Sequence, residues 1–136
     1  MLGGVRLFLV RHAEAAPGDP DDLRPLTPGG REAARELGQR LAAEDVRPDA
    51  VLTSPLLRAR ETATELGRAL TAPVEADERL APGATAETLL QAVRGRGDTV
   101  VVVGHQPDCG RIAAELSGGP EPSFPAGGAF ELQLED

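Results

Sequence analysis

Lysine, tyrosine and tryptophan are absent from this chain of 136 residues, cysteine and methionine occur once each, and histidine occurs only twice. Without lysine there is no Schiff-base nucleophile and no lysine clamp for a phosphate. With Cys109 alone there is no internal disulfide and no cysteine-rich metal site, which suits a reducing compartment. No CxxC or HxxxH ligand pair occurs, so zinc is poorly served, and no GxxxxGK[ST] loop occurs, so nucleotide handling of the P-loop kind is unsupported. Long apolar runs are missing too. The N-terminal run is interrupted by Arg6 and ends in charge after a few residues, unlike a secretory segment or a membrane span. The expectation is a soluble cytoplasmic protein without metal or cofactor. Only Phe8, Phe124 and Phe130 are aromatic, so the core must be aliphatic.

What is present is 40% hydrophobic content and a formal charge of -8, with a pI near 4.8. That length and content fit one domain over residues 1-136 with a single sizeable core. A negative surface repels nucleic acid and anionic membrane, and neither is expected as a partner. All 14 basic residues are arginine, so any anion site must be a local focus of guanidinium groups within an acidic whole.

Along the chain, VRLFLV at Val5 to Val10 has the short length and β-branched bias of a buried strand, and it runs directly into Arg11-His12. Ala15 to Pro28, rich in Pro, Asp and Gly, reads as a loop. Thr27 caps a helix with Pro28 in its first turn, and Ala34, Leu37, Leu41 and Ala42 fall on one face. A short strand at Ala50 to Thr53 leads to Ser54-Pro55, read as N-cap and first helical position, with the helix running to about Leu70 and Arg58 in its first turn. An edge strand near Pro73 to Glu75, a loop, and a helix from Thr85 to Val93 or Arg94 follow, stopped by Gly95 and Gly97.

Thr99 to Val103 then carries four consecutive valines without alternation, the pattern of a central strand covered on both faces, and ends in Gly104-His105. A helix after Pro107 ends at Gly118-Gly119. Alternating Phe130, Leu132 and Leu134 make a last edge strand. Strand, crossover helix, strand repeats of this kind predict an α/β fold: a three-layer α/β/α sandwich with a mostly parallel central sheet.

Three predicted strands thus end in Arg11-His12, Ser54-Pro55-Leu56-Leu57-Arg58 and Gly104-His105, at the sheet edge where α/β folds bind ligands. Arginines hold non-bridging phosphoryl oxygens in bidentate contacts, helix amino termini add donors, and a neutral imidazole is a nucleophile. The pattern points to metal-free phosphoryl transfer through a histidine.

On these residues the sequence resembles the histidine phosphatase, or phosphoglycerate mutase-like, superfamily, and within it the small bacterial phosphohistidine phosphatases. Arg11-His12-Ala13-Glu14 resembles the RHG signature, and Leu26-Thr27-x-x-Gly30 resembles the helix entrance that follows it. Ser54-Pro55-x-x-Arg58-Ala59-x-x-Thr62-Ala63 resembles the second motif and Gly104-His105 the third. The resemblance implies that His12 is the nucleophile and that Arg11, Arg58 and His105 form the phosphate pocket, with the backbone N–H of Gln106 and the side chain of Arg24 as further contacts.

Two departures stand out. Position 13 is Ala where the family usually has Gly. Many relatives also carry an acid shortly after a mid-chain Leu, and here Leu80 is followed by Ala81-Pro82, leaving Glu14 and Glu78 as substitute candidates for a general acid.

A phosphoramidate loses its imidazole more readily than an alkyl phosphate loses its oxygen, so a site without a dedicated acid matches phosphohistidine. A domain without long insertions leaves the crevice open to a phosphohistidine-containing protein domain. The alternatives are a small-molecule phosphomonoesterase acting on a sugar or nucleotide-loop phosphate, and a non-catalytic phosphoprotein-binding module. Retention of His12 counts against the last, because binding needs no nucleophile.

Overall fold

The computed structural model describes residues 4–135; residues 1–3 and 136, the outermost positions of the expected 1-136 domain, lie outside the described residues. Among the described residues, five strands and four helices alternate. They run β1 (Val5–Arg11), α1 (Pro28–Ala43), β2 (Ala50–Thr53), α2 (Leu57–Leu70), β3 (Val74–Ala76), α3 (Ala86–Val93), β4 (Thr99–Gly104), α4 (Asp108–Ser117) and β5 (Ala129–Leu134). The strands form one sheet in the order β3-β2-β4-β1-β5, parallel except for β5.

The valine run of β4 lies at the centre of this sheet. Val101 and Val103 point with Phe8, Val10 and Val51 towards Leu37 and Leu41 of α1 and Ala59, Ala63 and Leu66 of α2. Val100 and Val102 point the other way with Leu7, Leu9 and Leu52, towards Leu89 and Val93 of α3 and Ile112 and Ala113 of α4. Successive residues of a strand face opposite sides, so covering both faces removes the need for alternation. Each such valine, buried rather than exposed, stabilises the fold by about 1.5–3 kcal/mol.

The Thr27 cap forms as expected, its hydroxyl accepting the Gly30 N–H at 2.9 Å, with Pro28 opening the helix. One packing expectation fails: Ala42 is exposed, and Gly38 takes its place on the buried face of α1. The reason is close approach, since a Cβ at Gly38 would lie 2.7 Å from the Ala69 Cβ on α2. The edge strands are less covered than the centre. All three residues of β3 are exposed, and β5 buries only Leu132, with Phe130 and Leu134 partly covered. Among the described residues no helix is long and apolar enough to cross a membrane.

Candidate active site

The parallel register brings the three strand ends to one rim. Arg11 pairs with Gly104 and Thr53 with Val103. One residue further on, the His12 N–H donates to the Gly104 carbonyl and the Ser54 N–H to the Val103 carbonyl, both at 3.0 Å. The motifs on β1 and β2 meet through β4, which lies between these strands.

The half-buried His12 ring is oriented by the Ala13 carbonyl, 2.7 Å from Nδ1. A carbonyl only accepts, so Nδ1 carries a proton and Nε2 of the neutral ring keeps its lone pair. Burial pushes the His12 pKa below the ordinary imidazole value. The bond to Ala13 opposes this, and the charges of Arg58, Arg11 and Arg24 add to the lowering. The peptide beyond is held as well: the Ala13 N–H donates to Thr62 Oγ1 at 3.0 Å, and that hydroxyl donates to the Arg58 carbonyl at 2.8 Å. One side chain therefore ties the first turn of α2 to the segment that follows His12. The methyl group of Ala13 is fully buried against Leu26 and Ala34, so it joins a small apolar cluster.

Three arginines flank the ring. Arg11 Nη1 donates to the Phe124 carbonyl at 2.9 Å. Arg58, almost wholly buried, donates from Nη1 to the Asp21 carbonyl at 2.9 Å and from Nη2 to Asp21 Oδ2 at 3.2 Å. Arg24 donates from Nη1 to Asp21 Oδ1 at 3.0 Å and from Nε to the Ala16 carbonyl at 2.8 Å. Asp21 thus bridges two arginines, and the bond from Arg24 is the largest cause that lowers its pKa below the usual carboxylate value. In sequence it is one of three acids in the rim loop, indistinguishable there from a solvated patch.

His105 is buried, with Nε2 2.7 Å from Ser54 Oγ. Burial, then the neighbouring His12 and the charge of Arg58, push its pKa down to about 4. The expected N-cap role of Ser54 is not observed. α2 begins at Leu57, and the Ser54 hydroxyl instead accepts the Leu56 N–H at 3.2 Å while facing His105. Among the described residues, the buried side-chain nitrogens without a hydrogen-bond partner are Arg11 Nε and His105 Nδ1. Buried polar groups are normally satisfied, so an orphaned pair at one rim marks the place of a polar ligand.

Gln106 follows His105 at this rim. Its side-chain Oε1 accepts the Gly110 N–H at 2.7 Å, and its own N–H makes no hydrogen bond among the described residues. Glu14 is exposed, and its carboxylate accepts the Thr27 hydroxyl at 2.8 Å, beside the N-terminus of α1. Glu78 lies exposed in a turn over Glu78–Leu80, and no hydrogen bond or ion pair joins it to His12, Arg58 or His105 among the described residues. Pro82 is exposed, and the next residue is anchored by the Gly83 N–H donating to Asp108 Oδ2 at 2.8 Å.

Cys109 is buried and its thiol is pushed up to about 12 by burial, which makes it inert at neutral pH. A cavity of about 500 Å³ between α1 and α2 contains none of these residues; its lining includes Arg31, Arg68 and the buried Glu65, already joined in ion pairs.

The family model of the histidine phosphatase superfamily (branch 1) matches residues 7–82. The chain belongs to this superfamily. It is 34% identical over 125 residues to the phosphohistidine phosphatase SixA of Escherichia coli (strain K12), covering 87% of this chain and 78% of SixA. It is 38% identical over 113 residues to an uncharacterised protein of Mycobacterium tuberculosis (strain ATCC 25618 / H37Rv), covering 79% of this chain and 70% of that protein. A solved structure of the protein histidine phosphatase SixA complexed with tungstate superposes with a TM-score of 0.83 at 30% identity, covering 96% of this chain and 97% of the other. The expected α/β/α architecture is therefore the phosphoglycerate mutase-like fold, and by its membership the chain is a histidine phosphatase.

Proposed function

We propose that this histidine phosphatase hydrolyses phosphohistidine displayed by another protein, through a phosphohistidine intermediate on His12 and without a metal ion. The observation that carries the reading is the orphaned pair of buried nitrogens, Arg11 Nε and His105 Nδ1, beside a neutral imidazole with a free Nε2. In the first step the Nε2 lone pair attacks phosphorus and the bond to the leaving nitrogen breaks. The substrate ring, protonated on its other nitrogen, keeps that electron pair and departs as neutral imidazole. In the second step water attacks phosphorus, the Nε2–P bond breaks, and phosphate and a proton are released. The Ala13 carbonyl supports the imidazolium character of the phosphorylated ring through Nδ1–H. Arg11, Arg58 and His105 meet the equatorial oxygens, with Arg24 and the Gln106 N–H at the margin, and contacts that strengthen as charge develops lower the barrier.

The substrate class follows from the leaving group. Glu14 is held at α1, Glu78 has no bond to the site among the described residues, and the position after Ala81 is Pro82, so neither candidate acid is placed against a leaving oxygen. SixA, whose name carries phosphohistidine phosphatase activity, supports the same choice. The reading treats residues 1-136 as one domain with an open rim.

The test is intact-mass spectrometry after rapid quench, with wild type and His12→Ala each mixed with a phosphorylated histidine-containing domain and with an aryl phosphate. A covalent phosphate on wild type alone, with loss from the phosphodomain, is expected. Labelling by the aryl phosphate alone moves the reading to a small-molecule phosphomonoesterase. Absence of both labelling and turnover leaves a phosphoprotein-binding module.

A further inference from the structure

The hydrogen-bond arithmetic at Ser54 restricts the tautomer of His105. Ser54 is fully buried, and its hydroxyl has one proton to give and two lone pairs to receive. The Leu56 N–H, 3.2 Å away, takes one lone pair. The remaining contact, 2.7 Å to His105 Nε2, has two possible senses.

If Nε2–H donates to the hydroxyl, the Ser54 proton has no acceptor among the described residues, and His105 Nδ1 is left as a bare buried lone pair. Two polar groups are then unsatisfied. If the hydroxyl donates to Nε2, both the Ser54 proton and the Leu56 N–H have partners, and the ring proton moves to Nδ1. One orphan remains, and it is a donor.

We propose that Ser54 is a positioning residue: its hydroxyl donates to His105 Nε2, holds the ring as the Nδ1–H tautomer, and so leaves that N–H free for a phosphoryl oxygen. The inference rests on the phosphatase reading above for its purpose, but not for its geometry. The second orphan agrees with it, because Arg11 Nε–H is a donor in every state and the non-bridging oxygens of a phosphoryl group accept. The backbone of His105 is held independently of Ser54, since its carbonyl accepts the Cys109 N–H at 2.8 Å and its predecessor Gly104 is in register with Arg11. The neutrality of His105 makes the matter consequential. A doubly protonated ring would present Nδ1–H whatever its partner, whereas a neutral ring has one proton and its placement must be chosen.

The experiment reads the tautomer directly. Long-range nitrogen–proton correlation spectra of the substrate-free protein contain two imidazole rings, and His12→Ala assigns them. In the wild type, His105 is expected to show a protonated Nδ1 and a bare Nε2. In Ser54→Ala that preference is lost and an Nε2–H form appears. Turnover by Ser54→Ala should fall mainly in kcat, by about tenfold or more towards the 10²–10³ seen when an oxyanion donor is removed, and inhibition by inorganic phosphate should weaken.

A wild-type His105 with its proton on Nε2 overturns the proposal, and this spectrum decides even if Ser54→Ala does not fold. Unchanged tautomer or unchanged kcat in a folded Ser54→Ala protein overturns it as well. A wild type that keeps the Nδ1–H tautomer but turns over no phosphorylated substrate defeats the functional reading instead, and leaves the assignment at Ser54 standing.

Discussion

The rings of His12 and His105 stand 5.2 Å apart between centroids, with their planes inclined at 59°. Two imidazoles this close beside arginines cannot both be cationic at little cost, and each pKa is displaced downwards. Burial first, and then the charges of Arg58, Arg11 and Arg24, keep the nucleophile His12 neutral, and His12 in turn adds to the lowering at His105.

The first prediction is the pH dependence that follows. Nucleophilic His12 must be unprotonated, and its pKa is lowered, so kcat/KM should hold its plateau to below pH 6.5 before the acid limb begins. An acid limb above that value would contradict the assignment. Stability runs in the same direction. Between about 4 and 6.5 the unfolded His105 binds more protons than the folded one, so its contribution is complete above pH 6.5 and is lost as pH falls towards 4. Urea midpoints measured across this window should fall with pH, and His105→Gln should flatten the slope.

The second prediction concerns the acid that joins Arg24 to Arg58. Asp21 is exposed, so its solvent-screened ion pairs add little to folding stability. Its effect should appear in catalysis, because its carboxylate holds Nη2 of Arg58, whereas its carbonyl, which Asp21→Ala keeps, holds Nη1. Asp21→Ala is expected to lower kcat/KM about tenfold, the value of one charge-assisted hydrogen bond, while moving the thermal midpoint little. Arg24→Ala should cost less once Asp21 is gone, and a double-mutant cycle measures this. Strict additivity of the two losses would show that the bridge does not couple them.

How much of this was legible in the sequence depends on whether the signal was local. The valines of β4, the Thr27 cap and the glycines after α3 declare themselves in their own neighbourhood, and these elements lie where the sequence places them. Arg11, His12, Arg58 and His105 were legible because each sits at the end of such an element. Ser54 was misread because Ser-Pro is a sound local signal for a helix cap, and the competing partner, His105, is 51 residues away. Thr62 falls on the buried face of α2 with Ala59, Ala63 and Leu66, so its spacing reads as packing and conceals a hydrogen bond to Ala13. Asp21 could not be told from Asp19 or Asp22, since only the folded loop, closed by the Ala15–Leu26 bridge, decides which acid reaches the arginines.

The third prediction separates packing from hydrogen bonding at Thr62. Thr62→Val keeps the volume but removes the acceptor for the Ala13 N–H and the donor to the Arg58 carbonyl, both buried. An unsatisfied buried group costs about 1–3 kcal/mol, and activity should fall further than stability accounts for, because the peptide after His12 is released. Thr62→Ser, which keeps the hydroxyl and loses a methyl group, should retain most of the activity. Equal losses in the two variants, measured by kcat/KM and chemical denaturation, would reduce Thr62 to a packing residue.

The fourth prediction addresses the missing acid. If an imidazole leaves without a positioned proton donor, removing the proton from Glu14 or Glu78 should not matter. Glu14→Gln retains an oxygen to accept the Thr27 hydroxyl, and Glu78→Gln changes an exposed side chain, so both should fold normally. Turnover of a phosphohistidine domain should stay within about twofold of wild type in each, whereas a working general acid contributes roughly 10²–10⁴. The same absence predicts a steep dependence of rate on leaving-group basicity across a series of aryl and alkyl phosphates, because charge accumulating on the departing oxygen is not neutralised. A shallow dependence that becomes steep in one of the two glutamine variants would identify that residue as the acid and shift the substrate towards an alkyl phosphate.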